Sequence, residues 1–167
     1  MSNSKRLQSP PLTLLDKFRG QGFTALYTTT VTVSGGDDGH GRVSRIARSD
    51  DGNLVLDLQL PTALGGSSRG TNAEKLFAAS YAACFHVALS LVGKRSRVDV
   101  SNATVAVKVS LGRDPMDGGY TLTMEICVRM PGVERHVAEE LVRDTERLCP
   151  YSKMAREGVH SIVSVID

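Results

Sequence analysis

Cysteine is scarce in this chain. Three occur in 167 residues, at positions 84, 127 and 149, and no two are spaced as CxxC. Three thiols cannot form a disulfide scaffold, and without a CxxC pair a zinc ribbon or a thioredoxin-type motif has no support. The four histidines, His40, His86, His136 and His160, show no HExxH spacing, so no metal site is expected. An excess of one charge is missing too: 20 Lys and Arg stand against 18 Asp and Glu, scattered along the chain. That balance gives no electrostatic case for nucleic acid or a membrane surface. Apolar runs are short, and the longest, "LFAASYAACFHVALSLVG" from Leu76 to Gly93, is too interrupted to be expected to span a bilayer. The opening "MSNSKRLQSPPLTLLDKFRG" lacks the sustained apolar stretch and small-residue cleavage pattern of a secretion signal, and a cytoplasmic location is the expectation. No internal repeat is visible.

What is present has the composition of one ordinary globular domain, long enough to bury a core. Residues 1–22 are polar and contain proline, and read as an N-terminal extension with one helical turn at "LTLLDKF". "TALYTTTVTV" (24–33) reads as a strand, and "SGGDDGHG" as a break before "RVSRIARS" resumes an extended pattern. Leu54, Leu56, Leu58 and Leu60 alternate strictly, which predicts a half-buried strand. A long helix is expected over 72–92, opened by Thr71 as cap with Glu74 three residues on as a capping box. Its body is apolar on nearly every side, so it should be central and buried. "ATVAVKVSLG" and "YTLTMEICVRM" alternate as two strands joined by "RDPMDGG". An amphipathic helix follows at "VERHVAEELVRDTERLC", then a short one from Pro150, then a last strand at "SIVSVI". Strands, a long helix, then strands and helices again make an α+β domain.

The cysteines differ in context. Cys84 lies among Leu, Phe and Ala, where burial raises a thiol's pKa, so it is either a small core residue or a nucleophile rescued by a nearby cation or donor. Cys149 immediately precedes Pro150, where a helix N-terminus would direct backbone N–H groups at its sulfur, or where it merely caps. Cys127 sits in a strand with no activating feature and reads as structural.

"GTNAEKLFAASYAACF" and, far downstream, "CPYSKMARE" resemble the paired signatures of the organic hydroperoxide resistance (Ohr/OsmC) family, close to TNPEQLFAAGYAACF and CPYSNATRG. The likeness extends from Thr24 onward, making 23–167 the Ohr/OsmC-like domain. It implies antiparallel sheets around the long helix, an intertwined homodimer and a cysteine-based peroxidase. Cys84 falls on the peroxidatic cysteine, Cys149 on the resolving one, and Glu74 on the glutamate that orients the site. The resemblance also implies a Cys84–Cys149 disulfide, an organic hydroperoxide substrate, and a dithiol reductant, typically a dihydrolipoyl group; no cofactor is called for. The family's GGRxG arginine is replaced by Asp37 in "GGDDGHGR"; Arg42 is the nearest substitute, with Arg45 and Arg48 as alternatives. Apolar walls from Leu76, Phe77, Phe85 and Val87 would suit an alkyl or lipid peroxide. Glu74 and Cys84 are ten residues apart, about 15 Å along a straight helix, so the expectation is that Glu74 and its arginine serve the Cys84 of a second copy. A redox sensor, an osmotically induced relative with another peroxide preference, and a binding module with core cysteines are the competing readings.

Overall fold

A computed structural model of the chain describes residues 10–35, 45–66 and 70–166. The elements run β1 (Val31–Ser34), β2 (Arg45–Ser49), β3 (Val55–Leu58), α1 (Ala73–Ser96), β4 (Thr104–Arg113), β5 (Tyr120–Arg129), α2 (Arg135–Leu148) and α3 (Pro150–Glu157), with single 3-10 turns at Leu12–Leu15 and Thr62–Leu64. This is an α+β architecture in which β1–β2–β3 form one antiparallel sheet, and β4–β5 pair separately.

By their internal contacts the residues group into two units. One comprises Met1–Lys17, Ala79–Lys108 and Met124–Asp167. Its core joins Leu89 and Val92 of α1, Val100 and Ala103 of the following loop, Met130, and Leu141 of α2. Val133, Val137, Ala138, Val142 and Leu148 pack around it, so the apolar stripe of α2 faces inward as its spacing predicts. Gly93 lets the loop after α1 come close, since a Cβ there would stand 2.6 Å from Val100 Cγ2.

The other unit comprises Phe18–Ala78 and Val109–Thr123. Its β2–β3 turn is tied by Asp51, whose carboxylate accepts from Ser49 Oγ and from Asn53 N and Nδ2. Leu54, Leu56 and Leu58 occupy the half-buried face as alternation predicts, whereas Leu60 lies beyond β3 and is 45% exposed. Thr71 pairs with β3 in parallel fashion, its N–H donating to Asp57 O and its carbonyl accepting from Gln59 N. That pairing fixes the chain where α1 starts.

Three expectations change. The first strand is much shorter than 24–33: among the described residues, backbone pairing before Val31 extends only to Thr30, whose carbonyl accepts from Asp50 N at 3.0 Å, and Phe23 is 97% and Leu26 88% exposed. The last strand does not form; residues 161–166 belong to no strand, and Ile162, Val163 and Val165 are exposed. The apolar helix is not short: at 24 residues α1 is long and apolar enough to cross a membrane. Within the protein, Tyr81, Phe85, Ala88, Leu89, Leu91, Val92 and Gly93 of α1 are buried.

Candidate active site

Two thiols meet in the first unit. Cys84 lies mid-way along α1, and Cys149 is the residue between α2 and α3. Their sulfurs are 3.7 Å apart, both thiols free. Cys149 is wholly buried, whereas Cys84 is half-buried. Pro150 starts α3 at the position where a missing N–H costs nothing. The donors of that helix start do not turn back on Cys149, whose side chain makes no capping bond. The Tyr151 N–H favours the thiolate of Cys84 instead. The activating helix start expected for one cysteine therefore acts on the other.

That donor is outweighed in the isolated chain. Burial first, then the neighbouring Cys149 thiol, push the Cys84 thiol up from 9.0 to about 11. A nucleophilic Cys84 needs a positive charge beyond these neighbours.

The pair is held by side chains that sequence reasoning did not single out. Tyr81, one turn before Cys84 on α1, donates its hydroxyl to Ser152 Oγ on α3 at 3.0 Å, and both residues are 2% exposed. Tyr81 also meets Tyr151 edge-to-face, centroids 5.8 Å apart. The only sequence hint is a matched offset: Tyr81 is three residues before Cys84, and Ser152 three after Cys149.

Glu74 stands in the first turn of α1. The cap there is Asn72, whose Oδ1 accepts from Lys75 N at 2.8 Å. Thr71 belongs to the β3 pairing, so Glu74 is the second helical residue and not the third. The capping-box explanation of Glu74 falls with that shift of one residue. Arg42 lies outside the described residues. Arg45 pairs with Leu58 in the β2–β3 register, and Arg48, opposite Val55, is exposed. Among the expected apolar walls, Phe85 is packed into the core, while Val87 is 45% exposed. Cys127 is exposed on β5, its Sγ 3.9 Å from Glu125 Oε1, so it does not fill a core. Among the described residues no group of three His, Cys, Asp or Glu could hold a metal ion.

The family model described as OsmC-like protein matches residues 65–164, a span that includes both sulfurs. The chain belongs to the OsmC-like family. It is 40% identical over 135 residues to organic hydroperoxide resistance protein OhrB of Bacillus subtilis, covering 81% of this chain and 94% of that one. It is 37% identical to OhrA of the same organism over 144 residues, 85% and 97% of the two chains. Among solved structures, an organic hydroperoxide resistance protein from Elizabethkingia anophelis superposes with a TM-score of 0.73 at 36% identity, covering 81% of this chain and 92% of that one. The fold is thus that of the Ohr/OsmC proteins, and the sequence places this chain with the organic hydroperoxide resistance proteins within the OsmC-like family.

Proposed function

We propose that the protein is a thiol peroxidase that reduces organic hydroperoxides to alcohols. The observation that carries this reading is the 3.7 Å approach of two free, unequally exposed sulfurs, in a chain similar to proteins named for organic hydroperoxide resistance. The Cys84 thiolate attacks the distal peroxide oxygen, the O–O bond breaks, and the alkoxide leaves and takes a proton to become the alcohol. Cys84 is left as sulfenic acid. Cys149 attacks that sulfur, water departs, and a Cys84–Cys149 disulfide forms. An external dithiol, of the dihydrolipoyl class, returns both thiols and is itself oxidised.

Arg42, or failing it Arg45 or Arg48, supplies the positive charge that Cys84 lacks, and Glu74 holds its guanidinium. Glu74 is not the capping-box partner of Asn72, whose side chain takes Lys75 N, so its carboxylate is not committed to that cap and suits this assignment. Because α1 is unbroken from Ala73 to Ser96, Glu74 serves the Cys84 of a second copy, and the working unit is a homodimer of 23–167 domains, with 1–22 as an extension. We place it in the cytoplasm, where thiols stay reduced between turnovers.

The test is one equivalent of cumene hydroperoxide followed by mapping of disulfides by mass spectrometry. A Cys84–Cys149 bridge with Cys127 free is the expected outcome. Bridges through Cys127 alone, or none, would overturn the peroxidase reading. Sustained peroxide consumption with dihydrolipoamide separates an enzyme from a sensor that stops at its disulfide.

A further inference from the structure

The hydrogen bond from Tyr81 to Ser152 does more than satisfy two buried hydroxyls. Moving three residues along α1 from Tyr81 gives Cys84, and moving three residues back along the chain from Ser152 gives Cys149. On a helix, residues three apart lie on one face, about 5–6 Å from each other. Tyr81 and Cys84 share such a face of α1, and Cys149 is the extended cap residue directly before α3, so the 3.0 Å hydroxyl contact and the 3.7 Å sulfur contact are two rungs between α1 and the chain that runs from Cys149 into α3. Only the sulfur rung takes part in chemistry. The hydroxyl rung is buried at both ends, so neither group can exchange its partner for water without opening the packing.

We propose that Tyr81 and Ser152 are positioning residues that set the rate at which Cys149 closes on oxidised Cys84. The proposal rests on the assignment of these cysteines as attacking and resolving thiols. Closure must take the sulfurs from 3.7 Å to the ~2.05 Å of a disulfide with the correct dihedral. The sulfenic acid has a competing fate, since a second peroxide converts Cys84–SOH to Cys84–SO₂H with release of another alcohol. A rung that holds α3 against α1 favours the first fate. The first oxidation of Cys84 needs no movement of Cys149, so the rung leaves that step alone.

The experiment compares wild type with Tyr81→Phe, Ser152→Ala and the double variant, all in a Cys127→Ser background. Three quantities are measured: the rate of Cys84 oxidation by cumene hydroperoxide, the rate of disulfide closure, and the peroxide concentration at which half of Cys84 becomes sulfinic acid. The melting temperature is recorded alongside. A misplacement near 1 Å can cost up to ~100-fold in such a step, and we expect closure about 10-fold slower in all three variants. The half-sulfinic concentration should fall by the same factor, with initial oxidation within about 2-fold of wild type. Tyr81→Phe leaves the buried Ser152 hydroxyl without its phenol donor, whereas the double variant removes both hydroxyls, so stability should be lost in Tyr81→Phe and largely restored in the double. Slow closure that persists in the double variant while its melting temperature recovers supports positioning. Closure that recovers along with stability, or that never slows, overturns it. Should wild type itself form no Cys84–Cys149 disulfide, the peroxidase reading fails first and this proposal with it; normal closure in wild type and variants alike removes the proposal alone.

Discussion

At the scale of single residues, the central tension is in Cys84. Its thiol is pushed up to about 11 by burial and by Cys149, against the pull of the Tyr151 N–H. About four pKa units above neutrality leaves on the order of 1 thiolate in 10,000 at pH 7, too few for a fast nucleophile. The missing charge is what the arginine is proposed to provide. Alkylation of Cys84 by iodoacetamide, followed against pH in a Cys127→Ser protein, should show a midpoint well below 9, and Arg42→Ala should move it up towards 11. If alanine at Arg42, Arg45 and Arg48 in turn leaves the midpoint in place, the arginine has no such role. The sign for stability follows from the same shift. Without the arginine, the fold prefers the protonated thiol, so the contribution of Cys84 is full below pH 9 and is lost as pH rises to about 11. Both sulfurs of the pair were legible as motifs, because each is embedded in a long run of family-like residues. The Tyr81–Ser152 rung was not, since a hydrogen bond between residues 71 apart leaves no local trace.

At the scale of elements, the end of α1 follows a known closing pattern with an unusual residue. Val98 N donates to Gly93 O and Arg97 N to Lys94 O, while Arg97 itself adopts φ +57°. This is the Schellman arrangement, whose left-handed position normally holds glycine. An arginine there bears ~1–2 kcal/mol of steric cost, of which glycine's greater unfolded entropy would return ~0.5–1. Arg97→Gly should therefore stabilise the protein by about 0.5–1 kcal/mol and raise its melting point by a few degrees; a lower melting point would contradict this account. The paired strands β4 and β5 and the helices α2 and α3 could be read from the sequence because their periods and turn residues are local. The N-terminal cap of α1 was misread by one residue, since Thr71 and Asn72 are both good caps and only the pairing of Thr71 with β3 decides between them. The first and last strands failed for another reason. Residues 24–29 and 161–166 have strand composition, but a strand needs a ladder, and none is offered to them among the described residues.

At the scale of the whole molecule, those two segments leave Leu26, Tyr27, Ile162, Val163 and Val165 in water. Covering such side chains is worth roughly 1.5–3 kcal/mol each, a strong incentive for a second copy to supply the missing partner. The proposed dimer has a direct test in subunit exchange. Cys84→Ser and Glu74→Ala proteins, each inactive alone, should regain activity when mixed, because one of the two sites in a mixed dimer then carries neither defect. Confirmed exchange without returning activity would rule out a site shared between copies. The unequal exposure of the two sulfurs has a consequence for traffic through that site. In the proposed cycle a reductant carried on a protein cannot touch Cys149, which has no accessible surface, so it must enter by the Cys84 side, as the peroxide does. Oxidant and reductant then share one doorway and take turns at it. On that proposal each, when abundant, obstructs the other, and turnover is fastest when neither crowds the entrance.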